Sequence, residues 1–427
     1  MSPPGCGPRR AGEGDPFAAT QAAWRFYANP NVGLGELAGP LVACARAAIP
    51  VACDRFTLVV LDWSPLHFGS HTSKADRVPL AHKKDLGYDL LTALALNDRA
   101  GAPLAPLALE LRAADGVHTT RAAERPSPPA SRLDGLTPLI DHVEGLGLGR
   151  PAVYLVDREA DSVGHLRAWH AAGRRFVVRA DDAPRVLHGG VRRPLDEVAG
   201  RLKRRLRTGE AFADVGDVQF KGKPARQFVA ETTVRLVRPA RTHRVDPRSG
   251  KPKHRNVRGE PLPLRLVVSE VRDERGRVLA RWLLLTNLPA SAEADAATVA
   301  RWYYWRWRVE NYHKLLKGAG QQVEQWQQES AAALARRLLV AAMACVVVWH
   351  LARDERPQAA AMRAVLVRLS GRQMKRGADA RGFTEPALLA GLGVLLPMLE
   401  LLEHHDVAEL RAMAEAALPG LLRREGG

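Results

Sequence analysis

The sequence predicts an α/β fold: a core of strands and helices, interrupted by a β-rich insertion and followed by a helical C-terminal region. Three observations lead to it. Two short apolar runs, FTLVVL at 56–61 and AVYLV at 152–156, each end on an aspartate. From 184 to about 281 the texture changes to short alternating segments set between very basic stretches. After WLLL at 282–285 the apolar spacing becomes helical and stays so. Strands, then an insertion, then helices describe an α/β core with two additions.

Taken in order, residues 1–15 are polar and rich in Gly and Pro, and are expected to be disordered. Residues 17–48 read as short helices, broken at Asn29-Pro30 and again at Pro40. The β-branched run 56–61 is a buried strand. Segments 86–96 and 103–111 are further strands, separated by the turn signal NDRAGAP. A Pro/Ser loop at 126–131 leads to a helix over 136–144. The run 152–156 is a second buried strand with a helix over 162–172 behind it, and 176–179 is another strand. Within the insertion, 228–237 and 264–271 alternate as strands do. Its basic segments, RLKRRLR at 201–207 and residues 241–258, read as solvated charge runs that could also grip phosphates. Long helices are expected over 298–317 and 331–352. The division expected is 1–50, a short N-terminal region; 51–183, the first part of the core; 184–285, the basic β insertion; 286–355, the second part of the core; and 356–427, a helical region suited to dimerisation.

The formal net charge is +17, carried mostly by arginine. An excess of that size calls for a polyanionic partner, nucleic acid or an acidic membrane surface. The longest strongly apolar run, 338–349, is shorter than the ~20 residues a bilayer span needs, so no membrane partner is expected. The four cysteines lack CxxC spacing, which excludes a zinc ribbon and fits a reducing cytoplasm. No GxxxxGK phosphate loop and no HExxH zinc motif occur, so no nucleotide cofactor is expected.

The chemistry-bearing residues follow from the strands. Asp62 and Asp157 stand at the ends of the two apolar runs. Carboxylates at a sheet rim converge if their strands are neighbours, and then repel unless a cation lies between them. Carboxylate oxygens are hard ligands, suited to magnesium or manganese. The segment RWYYWRWRVENYHKLLKGAG at 301–320 places Tyr303, Arg306, Glu310, Lys314 and Lys317 on one helical face. A carboxylate flanked by cations suits phosphodiester chemistry: the acid holds the ion and the cations hold phosphates in line.

Those residues resemble the DDE transposases of the insertion-sequence-four family, the group that includes the Tn-five transposase. Tyr303, Arg306, Glu310 and Lys317 match its Tyr-x2-Arg-x3-Glu-x6-Lys signature without a gap. DREAD at 157–161 matches its second catalytic block, and RFVVR, ending at Arg179, matches downstream. RFYANPNV at 25–32 and RWLLLTNLP, with Trp282, match the stretches before the first catalytic strand and before the signature helix. The resemblance spans about residues 21–354.

The resemblance implies a ribonuclease-H-like core with a β insertion between the second Asp and the Glu, and a homodimer on double-stranded DNA. Asp62, Asp157 and Glu310 would be catalytic and would bind two Mg2+ or Mn2+ ions. Water would free a 3′-hydroxyl at the transposon end; that hydroxyl would attack the opposite strand and then target DNA. Tyr303, Arg306, Lys314, Lys317 and Arg179 would hold DNA phosphates, and Trp282 would stack a flipped base. A bacterial, cytoplasmic and nucleoid-associated protein of a mobile element is implied. Two departures stand out. Trp63-Ser64 follows the first aspartate where many relatives have Asp-Thr or Thr-Thr, so local support of the metal site is expected to differ. About twenty residues precede the first matched segment, so end recognition is expected to be reduced and the chain inactive or inhibitory in transposition. The rival reading is a ribonuclease-H-like nuclease that only hydrolyses.

Overall fold

The computed structural model describes residues 16–82, 84–123, 125–129, 131–205, 212–245, 252–372 and 382–417. The disorder expected at 1–15 lies outside these residues. The chain opens with helices α1 (Pro16–Ala28) and α2 (Leu34–Ala52). Strands β1 (Thr57–His67), β2 (Val78–Pro79), β3 (Leu86–Asn97), β4 (Pro103–Ala113) and β5 (Gly116–Thr119) follow. Then come α3 (Leu136–Gly145), β6 (Ala152–Val156), α4 (Val163–Ala171) and β7 (Arg175–Arg179). The inserted region supplies β8 (Arg185–His188), β9 (Val191–Pro194), α5 (Leu195–Arg205), β10 (Ala213–Phe220), β11 (Lys223–Leu236), β12 (Ala240–Val245), β13 (Pro252–Val257), β14 (Leu262–Arg272) and β15 (Val278–Thr286). Helices α6 (Ala296–Trp305), α7 (Arg308–Lys317), α8 (Ala331–Arg353), α9 (Pro357–Leu369), α10 (Glu385–His404) and α11 (Val407–Ala417) complete it.

This is a mixed α/β protein with a large central sheet. Thirteen strands form it, with the path β5-β4-β3-β1-β6-β7-β15-β14-β11-β8-β9. The half β4-β3-β1-β6-β7 is antiparallel up to β1 and parallel from β1 through β6 to β7. That arrangement is consistent with a ribonuclease-H-like core. β1 and β6 are central because both faces are covered: Leu58–Leu61 and Val153–Val156 are fully buried, as uninterrupted apolar strands require. Helices α2 and α8 pack on β4 and on each other.

Apart from β12 and β13, the inserted strands join the core sheet. β15 pairs antiparallel with β7, Leu284 opposite Arg179, and extends the core sheet into β14 and β11. Ribbon β12–β13 stands apart as a separate two-stranded sheet. Arg167 of α4 pins its feet by donating to the carbonyls of Leu236, Arg238, Gly259 and Glu260. Residues 241–258, expected as a solvated charge run, are therefore largely this ribbon; 246–251 lie outside the described residues. The other basic segment is the end of α5 as far as Arg205, and 206–207 lie outside.

Four local expectations are corrected. Pro40 does not break the second helix: it lies inside α2, whose buried Ala38, Leu41, Ala45 and Ile49 pack on β4 and α8. Asp62 does not end β1, which runs on to His67 because β3 continues to pair with it. The helix expected over 298–317 is two helices, α6 and α7, with a turn at Arg306-Trp307. There Trp307, Val309 and Glu310 bond to carbonyls three residues back instead of four, which tightens the helix locally. Finally, α2, α8 and α10 are each long and apolar enough to cross a membrane by length and composition. The run at 338–349 is lengthened to a 23-residue helix by its alanine-rich flank. In the fold, 67% of the apolar window of α8 is buried against protein.

Gly87 marks how closely β3 lies against β1. A Cβ there would come within 1.9 Å of the Leu66 carbonyl oxygen. Gly87→Ala should therefore force the strands apart and cost about 1–3 kcal/mol, read as a lowered midpoint in thermal denaturation. An unchanged midpoint would contradict this register.

Candidate active site

Strand pairing alone brings the two aspartates together. The parallel ladder of β1 and β6 ends at Leu61 opposite Val156, and Asp62 and Asp157 are the next residues on each strand. Beyond that point β1 has a strand neighbour only on the β3 side. Pro65, which has no N–H to give, is tolerated there, and its carbonyl accepts a hydrogen bond from Lys317 Nζ at 2.5 Å. Asp157 caps the turn Arg158–Ala160, accepting from Arg158 N at 2.7 Å.

Helices α6 and α7 supply the remaining groups. Arg306, with a side chain 4% exposed, lies among three carboxylates. Its guanidinium is 3.1 Å from Asp157 Oδ2, 3.6 Å from Asp62 Oδ1 and 3.7 Å from Glu310 Oε1. Tyr303 donates its hydroxyl to Asp157 Oδ1 at 2.9 Å, and Arg179 stands 3.7 Å from the same oxygen. Burial alone would weaken the charge on Arg306, but Tyr303 and the surrounding carboxylates hold its pKa above the ordinary value.

That positive charge is shared unequally. Burial pushes the Asp62 carboxyl up to about 7; Arg306 opposes this, while Asp157, Glu310 and Glu159 add to it. Asp157 is desolvated too, but Arg306, the Arg158 N–H, the Tyr303 hydroxyl and Arg179 outweigh burial and hold it below the usual carboxylate range. The cluster is therefore short of positive charge, most of all at Asp62.

The other expected residues are placed as follows. Lys317 lies 3.7 Å from Glu324 in addition to holding Pro65, and Lys314 is exposed to solvent. Trp282 is 3% exposed and packs tilted against Tyr303, ring centres 5.6 Å apart. In this arrangement its indole offers no open face on which a base could stack. His313 was not anticipated. It is buried behind Asp62, with Nδ1 at 4.0 Å from Oδ2 and Nε2 at 3.4 Å from Thr92 Oγ1. Burial, with Lys317 and Arg306 nearby, drives its pKa down to about 3. Its position three residues after Glu310, on the same helical face, was the available signal.

A family model of the transposase DDE domain matches residues 57–347, well over half of the chain. The chain belongs to that family. A DDE transposase is a nuclease/transposase enzyme that binds DNA and uses divalent metal ions, and the matched span contains Asp62, Asp157 and Glu310.

The residues present fit such an ion. All three acids offer hard oxygen donors and all three face the Arg306 guanidinium. With that guanidinium among them their oxygens are not all within 4.8 Å of one another, so a shared ion requires them to close in as Arg306 leaves. Added positive charge favours the ionised Asp62 that burial, and then its carboxylate neighbours, oppose. A second acidic group, Asp76, Asp115 and His118, has ligand atoms within 4.8 Å of one another. Its charges are already engaged: Arg125 and His118 pair with Asp115, and Asp76 accepts from Tyr88 Oη and from the Ala331 amide at the start of α8.

Removing Arg306 should expose the charge deficit of this DDE transposase. Arg306→Ala leaves buried carboxylates uncompensated and should cost about 3–5 kcal/mol of stability. Millimolar Mg2+ should then raise the melting temperature of the variant more than that of the wild type. Equal shifts in the two proteins would contradict the geometry.

Proposed function

We propose that this DDE transposase is of the insertion-sequence-four type and carries out cut-and-paste transposition. It would cleave transposon ends and join them to target DNA. The observation that carries this reading is the meeting of Asp62, Asp157 and Glu310 around Arg306. Arg306 and Glu310 belong to the Tyr-x2-Arg-x3-Glu-x6-Lys signature and Asp157 to the DREAD block, while Asp62 follows the apolar run 56–61.

Asp62, Asp157 and Glu310 would hold two Mg2+ or Mn2+ ions. Bound there, divalent ions lower the charge cost of the attacking and leaving oxygens. The chain's own residues do the remainder. Tyr303 and Arg179 orient Asp157. Arg306, freed from the carboxylates, would turn to a phosphate oxygen, with Lys314 and Lys317 on α7 just beyond it. In the first step water attacks phosphorus, the P–O3′ bond breaks, and the released 3′-oxygen takes a proton. The 3′-hydroxyl then attacks a phosphorus of the opposite strand, closing a hairpin as that strand's P–O3′ bond breaks and the flanking 3′-oxygen leaves with a proton. A second water opens the hairpin and restores the 3′-hydroxyl, which attacks a target phosphorus and displaces a target 3′-oxygen. We read the protein as a homodimer on DNA in a bacterial cytoplasm. Leu396, Leu399 and Leu402, exposed apolar residues of α10, support pairing through the C-terminal helices. For Trp282 we keep a base-stacking role only if Tyr303 moves aside.

The test uses duplex carrying the terminal repeats of the element, with Mg2+. Wild type should give joined as well as nicked products. Asp62→Ala, Asp157→Ala and Glu310→Ala should each abolish both and leave DNA binding within a few-fold, because affinity comes mainly from phosphate contacts. Nicking without joining favours a hydrolytic nuclease, and robust nicking by any of the three variants overturns the site.

A further inference from the structure

Beyond Leu61 and Val156 no backbone hydrogen bond links β1 to β6. From there on the separation of the two carboxylates depends on side chains as well as on the ladder that ends one residue earlier. Arg306 spans the gap from within, but it occupies the point on which the acids converge and cannot hold them apart once a cation is there. A second arginine spans the gap from outside.

Arg132 opens a short turn, Arg132–Gly135, fixed by a capping box in which Leu133 N donates to Ser131 Oγ and Ser131 N donates to Asp134 Oδ2. Its guanidinium donates from Nη2 to Asp89 Oδ1 of β3 at 3.0 Å, while Nε lies 2.8 Å from Oδ2 as an ion-pair contact without hydrogen-bond geometry. Nη1 reaches Glu159 Oε2 at 3.1 Å. The guanidinium carbon lies 5.0 Å from the centre of the Trp63 ring, a favourable cation–π distance. Trp63 directly follows Asp62, and Glu159 lies two residues after Asp157. The same turn is tied a second time, by Asp134 to His165 of α4 at 3.3 Å.

We propose that Arg132 is a positioning residue: by bridging Trp63 and Asp89 to Glu159 it holds the turn of the second aspartate against the strand of the first and so sets the affinity of the site for its divalent ion. This rests on the reading of Asp62 and Asp157 as metal ligands. The Glu159 arm adds little to folding, because Arg132 and Glu159 are 38% and 61% exposed; the Asp89 arm, with Asp89 11% exposed, also contributes to stability. What the bridge does offer is geometry. The planar fork donates to Asp89 from one nitrogen and to Glu159 from another, a fixed spread that a lysine ammonium cannot reproduce. The bulky residue at position 63 supplies the flat surface on which the guanidinium rests.

The experiment titrates Mn2+ into the full chain without DNA, by calorimetry, for wild type, Arg132→Ala, Arg132→Lys and Asp157→Ala. Arg132→Ala should bind Mn2+ about tenfold more weakly, the lower end of what outer partners of metal ligands are worth. Its melting temperature without metal should fall modestly, as Asp89 loses its partner, its DNA affinity should stay at the wild-type value, and the Mn2+ affinity of Arg132→Lys should fall between. Unchanged Mn2+ affinity in Arg132→Ala, with Asp157→Ala impaired, overturns the role of Arg132 alone. DNA affinity lost in parallel makes Arg132 a phosphate contact and also overturns it. If Arg132→Ala does not fold, Arg132→Lys decides, and wild-type affinity there overturns the proposal. If Asp157→Ala binds Mn2+ as wild type does, the metal site itself is wrong and the proposal falls with it.

Discussion

A buried guanidinium among three acids is the constraint on which the rest of this molecule turns. Arg306 lies within 3.7 Å of Asp62, Asp157 and Glu310. Arg306 and Arg179 favour Asp157, which is held low, while burial, with the neighbouring carboxylates adding to it, raises Asp62. Burying such a set would be strongly unfavourable if it served stability alone. It becomes intelligible as a site built to receive additional positive charge, which is what a DDE transposase requires.

The fold supplies the frame for that cluster with little freedom. Two fully buried strands run parallel and stop pairing one residue before each aspartate. Helices α6 and α7 then bring the signature residues over the end of that ladder. The tight turn at Arg306-Trp307 separates them, so Tyr303 and Glu310 approach from two helices instead of one. The inserted strands join the same sheet through β15 and β7. Arg238, just before the ribbon, pairs with Asp161 of the second catalytic block. The basic insertion is thus rooted beside the acids, well placed to present charge to DNA held over them.

Much of this was legible in the amino-acid order, for physical reasons. The limits of β6 could be read to the residue because a continuous apolar run is closed by Pro151 and Asp157. The signature helix face was legible because charged groups at helical spacing among tryptophans are a poor fit to either a core or a solvated face. The continuation of β1 through Trp63-Ser64-Pro65 was hidden, since a proline argues against a strand unless one side is free. The break at Arg306 was hidden too: both residues of the turn keep right-handed helical angles, so periodicity hardly changes. Burial of Trp282 against Tyr303 and the bridge from Arg132 to Asp89 and Glu159 join residues far apart in the chain. Contacts of that kind leave no local pattern.

The central claim is that the three acids, now gathered on Arg306, form the metal centre. The most direct measurement is a crystal structure of the protein grown with Mn2+, with manganese located by anomalous scattering. The account predicts manganese bound by Asp62, Asp157 and Glu310, with the Arg306 guanidinium withdrawn from among them. Manganese found instead against Asp76, Asp115 and His118, with Arg306 still seated between the acids, would contradict it.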